Sequence, residues 1–213
     1  MSSNRNLAPS ERARVRRMPE RAHYDAAAIE AILDEALSCT IAFQWEESVH
    51  AMTTAHWREG SNLYVHGAKA SRMLKALVEG QACVTVSLID GLVFARSGFN
   101  HSMNYRSVVA YGRFEPVDDP ADKLRHLKGF MDKLAPGRWE QLRPATPKEL
   151  NATTVLRLPL DEASAKIRAW GPKDDEEDLG WPVWAGVVPL GVLRGEPQTE
   201  PDSAVRTAPP GFV

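Results

Sequence analysis

The segment with the clearest potential for chemistry is a β-prone run that ends in a turn of small residues, Leu63-Tyr64-Val65-His66-Gly67-Ala68-Lys69-Ala70-Ser71-Arg72. A helix is predicted to begin directly after this turn, so its first backbone N–H groups lack intrahelical partners and favour an anion. Arg72 adds a planar fork of donors, Lys69 a mobile positive charge and Ser71 a hydroxyl. The segment therefore predicts a site for a phosphate-bearing ligand.

His66 ends the predicted strand, and two roles are open to it. A histidine in such a position is commonly a structural side chain that satisfies a neighbouring group. Beside Gly67 and the cationic turn it could instead contact a ligand and carry a proton. The chain shows no order of serine, histidine and acid, or of cysteine and histidine, that predicts a nucleophilic triad.

A second polar segment leads into a predicted strand at Asn104-Tyr105-Arg106-Ser107-Val108. Neighbouring side chains on a strand point to opposite faces, so Arg106 and Ser107 cannot both meet one ligand from the same side. A structural arginine at a strand end is the alternative interpretation.

A third segment, residues 164–189, contains Trp170, Trp181 and Trp184 and ends in the run Trp184-Ala-Gly-Val-Val-Pro189. Exposed tryptophan is costly, so this run is predicted to pack on a partner, a ring or the core. Five acidic residues at 174–178 precede it. Their spacing is not that of a calcium loop, and we expect a solvated loop without a metal.

The first half of the chain alternates between helix and strand patterns. Asp25 is a predicted N-cap, and the helix that follows is expected to bury Ile29, Ile32, Leu33 and Leu37. Strands are predicted at 39–43, 49–54 and 63–65, and a helix at 71–79 with Gly80 as its stop. Asp90-Gly91 separates the β-prone runs 82–89 and 92–95, which predicts a tight hairpin.

The second half begins with a polar connection over 96–104 and a long predicted strand over 105–117. Asp119-Pro120 then predicts the start of a helix, which Pro136-Gly137 ends. The side chains expected to point inward from this helix are Leu124, Leu127, Phe130, Met131 and Leu134. Further strands are predicted at 153–160 and 164–168.

About six antiparallel strands with peripheral helices predict a mainly β protein, a closed or partly closed β-barrel. A doubly wound dinucleotide fold is disfavoured because the chain has no Gly-x-Gly-x-x-Gly and no P-loop lysine motif. We expect a basic arm over 1–22, one barrel domain over 23–192 and a disordered tail over 193–213.

The overall charge argues against two classes of partner. The 213 residues include 26 basic and 28 acidic side chains, for a net charge of −2, so general attraction to nucleic acid or an anionic membrane is not expected. No apolar run approaches the roughly 20 residues that span a bilayer, and no secretory signal is evident. Cys39 and Cys83 form neither a disulfide framework nor a zinc motif, which favours the cytoplasm.

Together these blocks resemble the flavin-binding split barrels related to pyridoxamine 5′-phosphate oxidase, nearest the branch of the nitroimidazole-resistance reductases. The resemblance covers residues 12–192 and rests on the order of its blocks. They are Arg17-Met-Pro-Glu-Arg-Ala-His-Tyr-Asp25, Tyr64-Val-His-Gly-Ala-Lys-Ala-Ser-Arg72, Asp90-Gly91, Asn104-Tyr-Arg-Ser-Val108 and Trp184-Ala-Gly-Val-Val-Pro189. Thr53 stands where many relatives have proline, and the oxidase's C-terminal arginine motif is absent, which disfavours pyridoxamine phosphate as the substrate.

The resemblance implies a six-stranded split barrel that forms a homodimer, with one FMN in each of two interface clefts. The protein would be an FMN-dependent oxidoreductase that acts on a small molecule, with NADH or NADPH as the electron donor. The residues implied to contact FMN are the phosphate ligands Ser71, Arg72 and Lys69; the strand Ala51, Met52, Thr53 and Thr54 along the isoalloxazine ring; Arg106 and Ser107 at the phosphate or ribityl chain; His66 facing the flavin, with a catalytic role; and Trp184, where a residue of the other subunit closes the cleft.

Three other functions remain open at this point. The barrel could carry a flavin without turnover, or hold haem, with His50, His56, His66 or His101 as candidate iron ligands. A deazaflavin could replace FMN, since the phosphate chemistry is the same. Binding of nucleic acid through the basic arm is the least favoured because the rest of the chain is not basic.

Overall fold

The computed structural model describes residues 7–209 of the chain. Its α-helices are α1 (Ala26–Glu35), α2 (Arg72–Glu79), α3 (Pro120–Leu134) and α4 (Pro147–Ala152). Its strands are β1 (Ala22–His23), β2 (Ser38–Trp45), β3 (Ser48–Ala55), β4 (Trp57–Glu59), β5 (Asn62–Ala68), β6 (Ala82–Phe94), β7 (Ser102–Gly112), β8 (Glu115–Pro116), β9 (Thr153–Pro159), β10 (Ala163–Arg168) and β11 (Gly186–Pro189).

The strands form two antiparallel sheets that enclose one main core. The larger sheet has the order β1-β10-β7-β6-β2-β3, with β11 also paired to β6, and the smaller has the order β4-β5-β9-β8. The mainly β, antiparallel split barrel predicted from the sequence is confirmed, although several very short strands bring the number among the described residues above six. The core draws Ile41, Leu63, Val84 and Leu156 from the sheets, and Leu33 and Leu77 from α1 and α2.

Helix starts agree closely with the sequence because caps are local chemistry. The side chain of Asp25 accepts a hydrogen bond from the backbone N of Ala28, 2.9 Å away, and Asp119 accepts one from Asp122 at the same distance. α1 ends at Glu35, so Leu37 lies beyond the helix and is exposed rather than buried. The five apolar residues expected to point inward from α3 are only half-buried, because that helix lies on the outside of the smaller sheet.

The hairpin predicted at Asp90-Gly91 is wrong. β6 runs without a break through both residues, and the dipeptide forms a β-bulge between Ile89 and Gly91. A tight hairpin of this type needs positive φ at both turn residues, and neither has it. Gly91 serves instead the close approach of β11, because a Cβ there would lie 3.0 Å from the carbonyl oxygen of Val188. The true connection between β6 and β7 is the polar loop at 95–101.

The two ends of the chain differ in how they meet the barrel. In the described part of the arm, Ala13 is buried and Arg12 forms an ion pair with Glu162, so this segment packs on the barrel. Residues 190–209 form no helix or strand, and the disorder expected over 193–213 stays a prediction. Residues 1–6 of the arm and 210–213 of the tail lie outside the described residues. Within 7–209, no helix has both the length and the apolar character to cross a membrane.

A buried histidine ties α1 and α3 to the start of β4. The Nε2 atom of His56 lies 3.0 Å from the carbonyl oxygen of Leu33, and the Nζ of Lys133 donates to the same oxygen at 2.8 Å. Burial, reinforced by the charge of Lys133, lowers the pKa of His56 to about 4. Burial also lowers the pKa of Lys133 to about 8. The histidine is therefore a neutral side chain that acid would have to charge inside the protein.

We expect His56→Gln to reduce the loss of stability in acid. Between pH 6.5 and about 4 the unfolded chain binds a proton at His56 that the native protein does not, so native stability falls as the pH drops through this window. The loss is on the order of 3 kcal/mol in the wild type and absent for this group in the variant. Urea denaturation at about pH 7 and about pH 4 measures the difference. Parallel losses in the two proteins would contradict the role given to His56.

Candidate functional site

The turn between β5 and α2, which we call the anchor turn (Gly67 to Arg72), has the features of an anion site. The side chain of Ser71 caps α2 by accepting a hydrogen bond from the backbone N of Leu74 at 3.4 Å. The amides of Lys69 and Ser71 donate within the protein, to Ala152 and Ala68. Among the described residues, the amides of Ala70, Arg72 and Met73 have no hydrogen-bond acceptor. Donors in this turn are therefore available to a ligand.

The two cations of the anchor turn are unpaired. The side chains of Lys69 and Arg72 are exposed, and no carboxylate of residues 7–209 lies within 4.0 Å of either charged group. This is unusual in a chain whose other arginines mostly pair with acids. Neighbouring positive charges without a counter-ion, beside unpaired amides, favour a ligand with at least one negative charge.

His66 lies just before the anchor turn, on the face of β5 that α3 covers. Its ring centroid lies 4.7 Å from that of Phe130 and 5.8 Å from that of Trp57. Nδ1 is buried without a hydrogen-bond partner among the described residues, whereas Nε2 is neither bonded nor enclosed. Burial lowers the pKa of His66. His66 thus presents a neutral, half-buried imidazole next to the anchor turn.

The residues predicted to contact a ring, Ala51, Met52, Thr53 and Thr54, lie on an open strand edge. β3 is the last strand of the larger sheet and, within residues 7–209, pairs only with β2, so backbone donors and acceptors along its other edge remain available. β3 also contacts β5, the strand that carries His66. Across the sheet, the hydroxyl oxygen of Thr53 lies 3.2 Å from that of Thr40.

Arg106 is engaged elsewhere. Its guanidinium donates to both carboxylate oxygens of Asp90, at 3.0 and 2.7 Å, and also to Glu35. These bonds raise the pKa of Arg106 and lower that of Glu35. The neighbouring hydroxyl of Ser107 donates to the carbonyl of Lys166 at 3.3 Å. Two carboxylates already compensate the charge of Arg106, which disfavours a phosphate there, so a role for Arg106 and Ser107 in cofactor binding stays a prediction.

Trp184 is exposed and sits just before β11. Its indole lies 5.9 Å from the ring of Phe94 and occupies the space that a Cβ on Gly186 would need, since that atom would lie 2.7 Å from the indole. The contact agrees with a tryptophan that packs on a ring. Closure of a cleft in the other subunit stays a prediction.

One polar cluster, beneath α3, was not foreseen from the sequence. His126 is buried with its ring stacked on Tyr64, 4.3 Å between centroids, and its Nδ1 lies 2.9 Å from a carboxylate oxygen of Glu59. The other oxygen of Glu59 accepts from the indole N–H of Trp57 at 3.0 Å. Gly129 permits this packing, because a Cβ there would lie 2.3 Å from Glu59. The mid-helix glycine was the only sequence signal.

This cluster opens into a polar cleft of about 390 Å³. Its lining includes acidic Asp118 and Asp122 and basic Arg125 and Arg157, and Arg125 donates to Asp122 at 3.1 Å. The anchor turn is not among its lining residues, so the cleft and the anion site are separate features.

Buried Arg168, in the third segment singled out from the sequence, has a structural role. Its guanidinium donates to the carbonyls of Trp170 and Gly171, at 2.6 and 2.9 Å, and to the side chain of Asn104. The indole of Trp170 has this group 5.1 Å and the guanidinium of Arg21 5.2 Å from its ring centroid. These contacts fix the loop after β10 to the arm and β7.

Comparison with known proteins identifies similar chains. The family model for pyridoxamine 5′-phosphate oxidase matches residues 25–167. The flavocytochrome Anf3 from Azotobacter vinelandii is 42% identical, with 96% of each chain covered and a TM-score of 0.91. The FAD and haem binding protein from Mycobacterium smegmatis is 37% identical, with 90% of this chain and 95% of that chain covered and a TM-score of 0.85.

A more distant structure shares the fold. A protein from Bacteroides thetaiotaomicron assigned to 5-nitroimidazole antibiotic resistance is 20% identical, with a TM-score of 0.58 over 68% of this chain and 86% of that chain. At this identity the likeness concerns the fold alone. No curated protein sequence matches this chain.

We expect Ser71→Ala to destabilise the protein by about 1 kcal/mol, because it removes the cap of α2. Ser71→Asp should be at least as stable as the wild type, since aspartate caps equally well and places a negative charge beside Lys69 and Arg72. Urea denaturation of the three proteins gives the comparison. If Ser71→Asp lost as much stability as Ser71→Ala, the hydroxyl would not be acting as the cap.

Proposed function

This chain belongs to the pyridoxamine 5′-phosphate oxidase family, as its sequence predicted, and on that premise we propose that it is a flavin-dependent oxidoreductase. The observation that carries the proposal is the anchor turn, where Lys69 and Arg72 have no acidic partner, and the amides at the start of α2 no acceptor, among residues 7–209. A flavin nucleotide brings the phosphate that these groups lack. Two relatives of 42% and 37% identity, a flavocytochrome and an FAD and haem binding protein, support the same chemistry.

The residues near the anchor turn fit the two ends of a flavin nucleotide. Lys69, Ser71 and Arg72 would hold its phosphate through charge-assisted hydrogen bonds. The open edge of β3 at Ala51 to Thr54 offers backbone donors and acceptors of the kind that a flavin ring needs. FMN satisfies both with one phosphate, and FAD contains the same unit, so the two nucleotides are alternatives for experiment to separate. When bound, the flavin supplies hydride or electron transfer.

His66 would contribute to the reaction from a position beside the flavin ring. Because burial lowers its pKa, the imidazole is neutral near pH 7, and the accessible Nε2 can accept a proton or orient a small substrate. Trp57 and Phe130 pack against the imidazole of His66. The side chain is therefore positioned by packing rather than by a hydrogen bond at Nδ1.

We also propose that the protein binds haem. Both of the more similar structures are described with a cytochrome or haem, and they cover 96% and 90% of this chain. A flavin and a haem in one protein would let a two-electron donor such as NADH or NADPH feed one-electron chemistry. Flavin and haem, which the sequence left as alternatives, would then be two cofactors bound by the same protein.

The cysteines support a reducing compartment. Cys39 and Cys83 are both free, and burial raises the pKa of the Cys39 thiol to about 12. A thiol of this kind is a packing group with little reactivity. We therefore propose a cytoplasmic location.

We expect Arg72→Met to weaken flavin binding by about 10- to 100-fold, the loss of one charge-assisted contact. Arg113→Met is the matched control, since Arg113 lies at the opposite end of α2 and donates to the carbonyl of Glu79 at 2.8 Å. Titration of flavin fluorescence with FMN and, separately, FAD measures each affinity. Ser71→Asp should also bind poorly while folding well. Unchanged affinity in both anchor-turn variants would refute the site.

We propose a homodimer in which the β3 edge is part of the interface. Val49 is 81% exposed on this strand and Met52 is also exposed, which is costly for an isolated subunit. Light scattering should give a mass of about twice 23.6 kDa for the wild type. Val49→Lys should shift the equilibrium towards the monomer, whereas Val205→Lys, in the exposed tail, should not. A wild-type monomer at micromolar concentration would contradict the dimer.

A further inference from the structure

An exposed apolar surface lies where β6 has a partner strand on each edge. Leu92 pairs with Met103 of β7 on one side and with Val188 of β11 on the other, so the three side chains share one face. Each is between 41% and 47% exposed. Phe94 lies two residues further along the same face, against the indole of Trp184. We call these five residues the apolar platform.

His101 stands at the edge of the apolar platform, next to Phe94. The two rings meet edge to face, with 5.6 Å between centroids and 80° between planes. The Nδ1 atom of His101 lies 2.9 Å from the carbonyl oxygen of Ser97, which can only accept, so Nδ1 carries the proton. Nε2 has no partner among the described residues and keeps its lone pair. This is the arrangement typical of a metal-ligating histidine, whose other nitrogen donates to a carbonyl.

The other five histidines lack this arrangement. Both nitrogens of His126 face protein groups, Glu59 and Arg125, and His56 is fully buried against Leu33. His66 has no hydrogen bond at Nδ1 to fix its tautomer. His50 stacks on Phe43 and His23 lies 3.9 Å from Asp25. Neither ring has a hydrogen bond to a carbonyl oxygen in the described part of the chain. Of the sequence candidates for an iron ligand, His101 alone combines a fixed tautomer with a free Nε2.

From these observations we infer that the apolar platform binds haem and that His101 ligates its iron through Nε2. The inference rests on the proposed haem binding and assigns it a site. A porphyrin is a broad apolar plane that would cover Leu92, Phe94 and Met103. Its iron already has four nitrogen ligands, so one histidine from the protein suffices.

The lack of other metal ligands favours haem over a bare cation. Within the described residues, no group of three or more histidine, cysteine or acidic side chains is placed to hold a metal ion. A bare transition metal would need such a group. Phe99, fully exposed in the loop before His101, adds a further aromatic side chain beside the surface. A large exposed apolar patch is typical of a binding site, and here an oriented histidine that could ligate a metal lies at its edge.

The test is reconstitution of the full-length protein with haemin, followed by its absorption spectrum. The wild type should take up one haem per chain with the sharp, shifted Soret band of an axially ligated iron. His101→Gln should weaken haem binding by about tenfold or more, since altering even an outer-shell partner of a metal site has that effect. His50→Gln is the matched control, an accessible histidine away from the apolar platform, and should bind as the wild type. Flavin binding, measured in parallel, shows that each variant is folded.

A second pair of variants separates ligation from packing. His101→Gly should lose the histidine-ligated spectrum and regain it when imidazole is added, because an exposed ligand position is open to exogenous base. Leu92→Glu should weaken haem binding without changing the ligand. Retention of the wild-type haem spectrum by His101→Gln would overturn the assignment.

The remaining outcomes distinguish the assignment from the proposal on which it rests. Loss of haem in His50→Gln but not in His101→Gln would move the site elsewhere while leaving haem binding intact. A wild type that binds flavin but no haemin would refute both the haem proposal and this site, and leave the flavin proposal standing. If Leu92→Glu instead converted a haem-free dimer to monomers, a second copy of the chain would be what covers the apolar platform.

Discussion

The alternation of side chains along β5 is the constraint on which the rest of the site depends. Leu63 and Val65 point into the core between the two sheets, where both are fully buried. Tyr64 and His66, one residue out of phase, point to the opposite face and meet α3. The strand then ends in the anchor turn. A shift of one residue in the pairing with β9 would place the core residues outside and His66 inside.

α3 turns the outer face of β5 into a solid support for His66. Glu59 joins the helix to the sheet by bonding both His126 and Trp57, and those two rings pack on Tyr64 and Phe130. The imidazole of His66 therefore rests on side chains that are themselves fixed. This explains how a histidine with no hydrogen bond at Nδ1 can still hold one orientation. Packing therefore fixes the orientation of His66, and the hydrogen bonds of Glu59 hold α3, the helix that packs on it.

Features set by neighbouring residues could be predicted from the sequence, and features set by distant strands could not. The predicted caps Asp25 and Asp119 are correct because each bonds an amide three residues ahead. Asp90-Gly91 has the local chemistry of a turn, yet β11, almost a hundred residues later, makes it the bulge of a longer strand. The place of α3 over β4 and β5, and with it the cluster at His126, is likewise a matter of tertiary packing.

The contrast between local and distant contacts also applies to the arginines, because distant acidic residues decide which arginines are already paired. The family resemblance implies both Arg72, at the start of a predicted helix, and Arg106, at the start of a predicted strand, as contacts of the flavin. In the fold, Asp90 and Glu35 compensate Arg106, whereas no described carboxylate approaches Arg72. Sequence distance hides this difference, because Glu35 lies 71 residues from its partner. Pairing in the fold is thus what marks the anchor turn as unsatisfied.

The anchor turn also runs against the electrostatics of its own helix. Acidic residues near a helix N-terminus are stabilising. α3 and α4 carry Asp122 and Glu149 in the first turn and α1 has Asp25 as its N-cap, whereas α2 has no acidic residue there and begins with Arg72. A cation at the positive end of a helix dipole costs about 0.3–1 kcal/mol, and Lys69 adds to the repulsion. A bound phosphate reverses the sign of both terms. The turn is therefore poorly suited to stabilising the empty protein and well suited to an anionic ligand, which is the balance expected where binding rather than stability has determined the residues.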